Sequence, residues 1–112
     1  MGALLSVLFV AFWLGCVPLA FSDSDVEKGK VLFTVCASCH GADASGNQAL
    51  NAPALKGLQG WYVVRQLKNF RAGLRGSDPK DTYGMQMRPM ALILADDQAV
   101  EDVAAYIESL SQ

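Results

Sequence analysis

A histidine directly follows two closely spaced cysteines in "CASCHG", residues 36 to 41. On a helix, Cys36 and Cys39 lie three residues apart and therefore on the same side, with His40 next to the second thiol. The chain has 112 residues, enough for one hydrophobic core, so we expect it to carry one site at most. The fold therefore has to place these three side chains where they can bind the same group.

The first 22 residues contain no charged side chain, and every Lys, Arg, Asp and Glu lies from Asp23 onward. This apolar run is long for the core of a signal peptide and close to the lower limit for a membrane-spanning helix. Pro18 and the small residues near its end favour cleavage before Asp23. We therefore predict a signal peptide at 1–22 and one domain at 23–112. A retained membrane anchor and lipidation at Cys16 stay open as alternatives, and all three would export the domain.

The motif is compatible with several kinds of site, and the residues in the rest of the chain argue against most of them. A disulfide between Cys36 and Cys39 would close a very small loop and stabilise the fold little. Structural zinc takes four protein ligands, and residues 23–112 contain no Cys or His outside the motif. A thioredoxin-like redox pair follows a strand, and no strand precedes this motif. The motif therefore favours covalent haem attachment, with thioether links from both cysteines and His40 as axial iron ligand.

Three segments of the exported domain have helical periodicity and none shows strand alternation, which predicts an all-α fold. The first helix should begin at a capping box of Ser24 and Glu27 and end at the cysteines. The second covers "GWYVVRQLKNFRAGL", with Gly73 as its C-terminal stop. The third covers "ADDQAVEDVAAYIESLSQ". The two stretches between these helices, of which the second is residues 75–90, are rich in turn residues and predict loops.

The second predicted loop contains three of the four methionines, Met85, Met87 and Met90. Because the only histidine is already assigned, a methionine thioether is the obvious sixth ligand of the iron. The chemistry of the residues alone does not choose among the three.

Charge is distributed unevenly along the chain. The net charge is −2, yet residues 56–88 carry seven basic and two acidic side chains and so a net charge of +5. This segment could steer an acidic partner, although an ordinary solvated helix face would look the same. Export and a net acidic chain argue against nucleic acid. The seven basic residues are Lys56, Arg65, Lys68, Arg71, Arg75, Lys80 and Arg88.

With CASCHG preceded by "GKVLFTV" and followed by "PAL", "WYVVRQLKNFRAG", "MRPM" and "DVAAYIESL", residues 24–112 resemble a class I c-type cytochrome, a single haem domain of the cytochrome c4 or c553-like type. The resemblance implies three main helices and two loops around one covalently bound haem c. It implies a periplasmic electron carrier between a respiratory donor and acceptor, monomeric or in transient complexes, and not an enzyme. The alternatives are a membrane-tethered haem subunit or electron-entry module of an oxidase, reductase or dehydrogenase and, third, a haem-based gas sensor.

The same resemblance implies roles for individual residues around the iron. Met87, seven residues before Leu94, matches the axial methionine, with Met90 as fallback. Pro53 matches the proline whose carbonyl accepts the proton of the proximal imidazole. Candidates for hydrogen bonds to the haem propionates are Trp61, Tyr62, Arg65 and Arg88.

The resemblance also predicts how the first and last helices meet. Gly29 and Phe33 on the first helix match the positions that contact an aromatic residue, here Tyr106, on the last. The serine that usually caps the last helix is replaced by Ala95, so Asp96 or water is expected to cap it instead.

Overall fold

The computed structural model describes residues 2–4, 8–15 and 23–111. Over these ranges the chain forms helices and one isolated β-bridge between Asn47 and Ala52, with no strand, which confirms the predicted all-α class. The helices are α1 (Val26–His40), a short 3-10 helix (Gln48–Leu50), α2 (Gly60–Ala72), α3 (Thr82–Ala91) and α4 (Asp97–Ser109).

Helices α1 and α4 pack closely, as the sequence predicted. A Cβ atom at Gly29 would lie 2.6 Å from the carbonyl carbon of Asp102 and 2.9 Å from Cβ of Tyr106, so only glycine fits this crossing. The rings of Phe33 and Tyr106 contact each other in a tilted arrangement, with centroids 5.3 Å apart and an interplanar angle of 55°. The core contains the apolar side chains that recur at helical spacing along α4, namely Val100, Val103 and Ile107.

The helix caps differ in part from the prediction. Asp25, and not Ser24, caps α1, because its carboxylate accepts a hydrogen bond from the Lys28 N–H. Asp96 caps α4 as expected, accepting from the Ala99 N–H at 2.8 Å. Helix α2 ends at Gly73, whose φ of 77° is the left-handed conformation predicted for a stop.

The prediction of a loop over residues 75–90 is wrong for its second half, which is helix α3. Asp81 caps this helix by accepting from the Gly84 N–H at 3.0 Å. A Cβ atom at Gly84 would come within 2.6 Å of Asp81 Oδ1, so this glycine makes room for a cap instead of marking a turn. Pro89 lies in the last turn and removes only one helical hydrogen bond.

The described part of the N-terminal segment, residues 2–4 and 8–15, is exposed and not helical. Among the described residues, no helix has both the length and the apolar character needed to cross a bilayer. Cys16 and the cleavage site predicted before Asp23 involve residues that lie outside the described ranges.

Candidate functional site

The last turn of α1 presents the two thiols and the imidazole of the motif. Cys39 is exposed, Cys36 is partly buried and His40 is buried. Burial raises the pKa of the Cys36 thiol above its ordinary value, and repulsion between the two thiolates adds to the rise. A redox-active cysteine is expected to have a lowered pKa, so the environment of Cys36 argues against a redox pair.

The His40 ring is held by the loop that follows α1. Its Nδ1 atom lies 2.8 Å from the carbonyl oxygen of Pro53, the partner that the resemblance implied. A carbonyl oxygen can only accept a hydrogen bond, so Nδ1 carries a proton, and in the neutral imidazole the lone pair is then on Nε2. This is the tautomer that an axial iron ligand requires, with its orientation fixed by the backbone.

Hydrogen bonds within the loop fix the position of Pro53. The Gly46 N–H donates to the His40 carbonyl at 2.7 Å, and a Cβ atom at Gly46 would approach the Ala54 nitrogen to 2.6 Å. The carbonyl of the buried Ala44 accepts from the Leu55 N–H at 2.8 Å. The loop therefore turns back tightly on the end of α1, which brings the proline carbonyl to the imidazole.

The three methionines of α3 lie on two different sides of the helix. Tyr83, Met87 and Met90 are spaced i, i+4, i+7 and so share one side of the helix. Met85 precedes Met87 by two positions and lies on the other side, where it lines a small cavity with Pro89 and residues of the preceding turn. The helical conformation thus separates Met85 from the two candidates that the resemblance named.

Tyr83 shows which way the shared side of α3 faces. It lines an open cleft whose other wall is formed by the loop after α1, including Asn47, Pro53 and Ala54. The structure thus places Tyr83 of α3 across the cleft from the loop that orients His40. Met87 and Met90 share the side of α3 that carries Tyr83.

The candidates for propionate contacts do not form one cluster. Trp61 is 58% exposed, and the Arg65 guanidinium lies over its ring, 5.0 Å from the centroid. Tyr62 is also exposed and contacts Trp61 edge to face. Arg88 instead donates through Nε to the carbonyl of Phe70 at 3.1 Å. Trp61 and Arg65 thus contact each other on α2, whereas Arg88 connects α3 to the backbone of α2.

One further residue, Arg71, had no specific signal in the sequence, where it was only one of seven basic side chains. Its Nη1 atom donates to the carbonyl of Ala91 at 3.0 Å and also to the carbonyl of Leu94. Only the packing of α2 against α3 shows that this cation lies at a helix end.

Comparison with known proteins identifies the family of this chain. The family model described as Cytochrome c matches residues 26–111. The chain belongs to the cytochrome c family. As a class I c-type cytochrome of the c4 type, it has the family's all-α fold and carries haem c, through which members of the family transfer electrons. Cys36 and Cys39 fit the CxxCH motif that attaches the cofactor.

Three curated relatives show how far the similarity extends. Cytochrome c4 of Stutzerimonas stutzeri is 35% identical over 98 residues, which cover 86% of this chain and 46% of the relative. The thiosulfate dehydrogenase electron acceptor of Stutzerimonas stutzeri (strain A1501) is 41% identical over 75 residues, 67% of this chain and 31% of the relative. Cytochrome c-554(547) of Halothiobacillus neapolitanus is 32% identical over 93 residues, 77% of this chain and 97% of the relative. The cytochrome c thus spans less than half the length of the first two.

The residues of the motif and of α3 fit a covalently held haem. Two thiols and a buried imidazole lie at the end of α1, the imidazole Nδ1 is bound to the Pro53 carbonyl, and two thioether side chains share the side of α3 that carries Tyr83. Over the described ranges, no three or more His, Cys, Asp or Glu side chains are grouped as ligands of a bare metal ion. An imidazole nitrogen and a methionine thioether would together suit a haem iron.

Proposed function

We propose that this cytochrome c is a periplasmic electron-transfer protein that carries electrons between a respiratory donor and acceptor. The haem iron supplies the redox chemistry by alternating between its ferric and ferrous states. The observation that carries the proposal is the hydrogen bond from His40 Nδ1 to the Pro53 carbonyl, because it leaves Nε2 free and aimed by the backbone. An imidazole held in this way is suited to permanent iron ligation.

Each residue of the motif has a role in this proposal. Cys36 and Cys39 hold the haem through thioether bonds, and His40 is the proximal ligand. Pro53 orients the imidazole and strengthens its donation to the iron. The covalent links keep the cofactor in place outside the cytoplasm, where a dissociated haem would be lost.

Met87 is the proposed sixth ligand, with Met90 as the fallback. Both share the side of α3 that carries Tyr83, and both are partly buried, whereas Met85 is 44% exposed on the other side of the helix. A filled sixth position leaves no open site at which a substrate could react. The protein is therefore an electron carrier and not an oxidase or peroxidase.

The proposed partners are redox proteins that present acidic surfaces. Arg65 and Lys68 lie on one side of α2 with Trp61, and all three are exposed. Exposed Trp and Arg side chains contribute strongly to protein interfaces, and clustered charge raises association rates. If these charges form only an ordinary solvated helix face, electron transfer should instead be insensitive to salt.

A second candidate function is a haem module of a larger complex, tethered to the periplasmic face of the inner membrane through residues 1–22. The similarity to the Cbb3-type cytochrome c oxidase subunit FixP of Sinorhizobium medicae supports it, with 34% identity over 92 residues, 76% of this chain and 27% of the relative. Mass analysis of the purified protein distinguishes the two, because cleavage before Asp23 favours the diffusing carrier and a retained segment the tethered module.

The ligand assignment is tested with matched Met→Leu variants, since leucine nearly conserves the volume of methionine. Met87→Leu should abolish the weak far-red band of sulfur-ligated ferric haem and lower the reduction potential. Met85→Leu should change neither. Retention of the band in Met87→Leu would reassign the ligand to Met90, and a ferrous wild-type spectrum altered by carbon monoxide would favour the gas sensor.

A further inference from the structure

We propose that Arg71 and Arg88 act as positioning residues that hold α3, and with it Met87, at a fixed distance from the haem iron. Each arginine lies on one of the two packed helices, α2 and α3, and binds carbonyl groups at the C-terminal end of the other. The inference rests on the proposed ligation by a methionine of α3, and it adds two residues that determine how firmly that ligand is held.

The two arginines and the carbonyls that they bind form a clamp, and its first half runs from α2 to α3. Arg71 Nη1 donates to the carbonyl of Ala91, the last residue of α3, at 3.0 Å, and to the carbonyl of Leu94 in the connection to α4. The last carbonyls of a helix have no helical partner and carry a partial negative charge. A cation at this point satisfies them and fixes the end of α3.

The second half runs in the opposite direction. Arg88 Nε donates at 3.1 Å to the carbonyl of Phe70, which lies in the last turn of α2. The same carbonyl also accepts from the Gly73 N–H at 3.2 Å. Because both arginines are only partly exposed, these charge-assisted hydrogen bonds are less screened by solvent than surface pairs.

Helix α3 depends on such contacts more than the other helices do. It has ten residues, includes Pro89 and packs against α2, whereas α1 and α4 pack against each other. Isolated helices of this length are marginal in water. Asp81 fixes the first turn of α3 through the Gly84 N–H, and Arg71 fixes its last residue. Met87 lies between these two anchors, so the position of its sulfur follows from both.

The test uses haem-loaded protein with Arg71→Gln, Arg88→Gln and the double variant. Arg75→Gln is the matched control: it removes the same charge, but the Arg75 guanidinium lies over the Phe70 ring and donates to the Gln66 side chain, both on α2. Asp102→Ala is a stability control, since Asp102 accepts from the Asp25 N–H at the contact of α1 with α4. The readouts are the far-red band of ferric protein under rising urea, the reduction potential and carbon monoxide binding by ferrous protein.

We expect the double variant to lose the far-red band at a lower urea concentration than the one at which it loses its far-UV helical signal. Its ferrous form should bind carbon monoxide, and its reduction potential should be lower than that of the wild type. Losing hydrogen bonds from charged groups should raise the population without bound methionine by about 10- to 100-fold. Arg71→Lys keeps one cationic donor and should restore part of the band. Arg75→Gln should match the wild type.

Three outcomes would overturn the inference: a double variant with unchanged band and potential, an Arg75→Gln variant with the same loss, or a loss no greater than that of an equally destabilised Asp102→Ala. These outcomes differ from failure of the proposed ligation. If wild-type protein lacked the far-red band, methionine ligation itself would be wrong, whereas a normal wild-type band with unaffected arginine variants removes only the clamp.

Discussion

The crossing of α1 and α4 gives the sharpest stability prediction, because Gly29 leaves no room for a side chain. In Gly29→Ala, the new Cβ would lie 2.6 Å from the carbonyl carbon of Asp102 and 2.9 Å from Cβ of Tyr106. Ordinary van der Waals contacts are 3.4–4 Å, so the helices would have to separate by about 1 Å. The nearest atoms belong to the backbone of α4, and a rotamer change cannot relieve the overlap.

The expected loss of stability follows from what this separation disturbs. Overpacking costs about 1–3 kcal/mol, weakening the Phe33–Tyr106 ring pair about 0.5–1.5 kcal/mol, and straining the hydrogen bond from the Asp25 N–H to Asp102 about 1 kcal/mol. Alanine regains about 0.5–1 kcal/mol through its better helix propensity. The net destabilisation is therefore about 1.5–5 kcal/mol, a large part of the stability of a small domain.

Urea unfolding followed by far-UV circular dichroism measures this effect on haem-loaded protein. With a urea slope of about 2 kcal/mol per molar, the midpoint should fall by about 0.8–2.5 M. Thr34→Ala is the control, because Thr34 is exposed on the same helix and its replacement should change stability by less than about 0.5 kcal/mol. A Gly29→Ala protein as stable as the wild type, or more stable, would refute the argument from close approach.

Three further predictions concern the caps and the charged face. Asp96→Ala removes the N-cap of α4 and should cost about 1 kcal/mol in a thermal melt; an unchanged Tm would show that water replaces the cap. Gly84→Ala places a Cβ against the Asp81 carboxylate, so it should weaken the far-red band before it weakens the far-UV signal, and a band as resistant to urea as in wild type would contradict this. Electron transfer to an acidic partner should slow with salt and in Arg65→Gln and Lys68→Gln, whereas a flat salt profile would indicate a solvated face.

The proximal half of the site could be predicted because its determinants lie close together in sequence. Cys36, Cys39 and His40 share one helical turn, and the proline that contacts the imidazole follows thirteen residues later. A short loop can bring that carbonyl to the ring without help from the rest of the fold. The crossing of Gly29 with α4 was predicted for a different reason, since it followed from the resemblance to the cytochrome family, in which a glycine of the first helix meets the last helix.

The distal half could not be predicted in the same way. The composition of residues 75–90 indicated a loop, because Gly84 and Pro89 normally interrupt helices. Their tolerance in α3 depends on a carboxylate at Asp81 that occupies the space above Gly84, and on an arginine of another helix at the C-terminal end. Neither contact has a local signature, since an aspartate before a threonine and an arginine on an amphipathic helix are common.

This difference has a consequence for how the protein sets its redox properties. In the proposed ligation, the histidine side of the iron is held by the thioether links and by the Pro53 carbonyl, so mutations elsewhere should change it little. The methionine side would depend on tertiary contacts of α3 with Arg71 and Arg88. A chain of this kind can therefore change its reduction potential, or its readiness to release the sulfur, through the α2–α3 contact alone while haem attachment stays unchanged. Variation in function among such domains should accordingly concentrate in the residues that hold α3 and not in the CASCH motif.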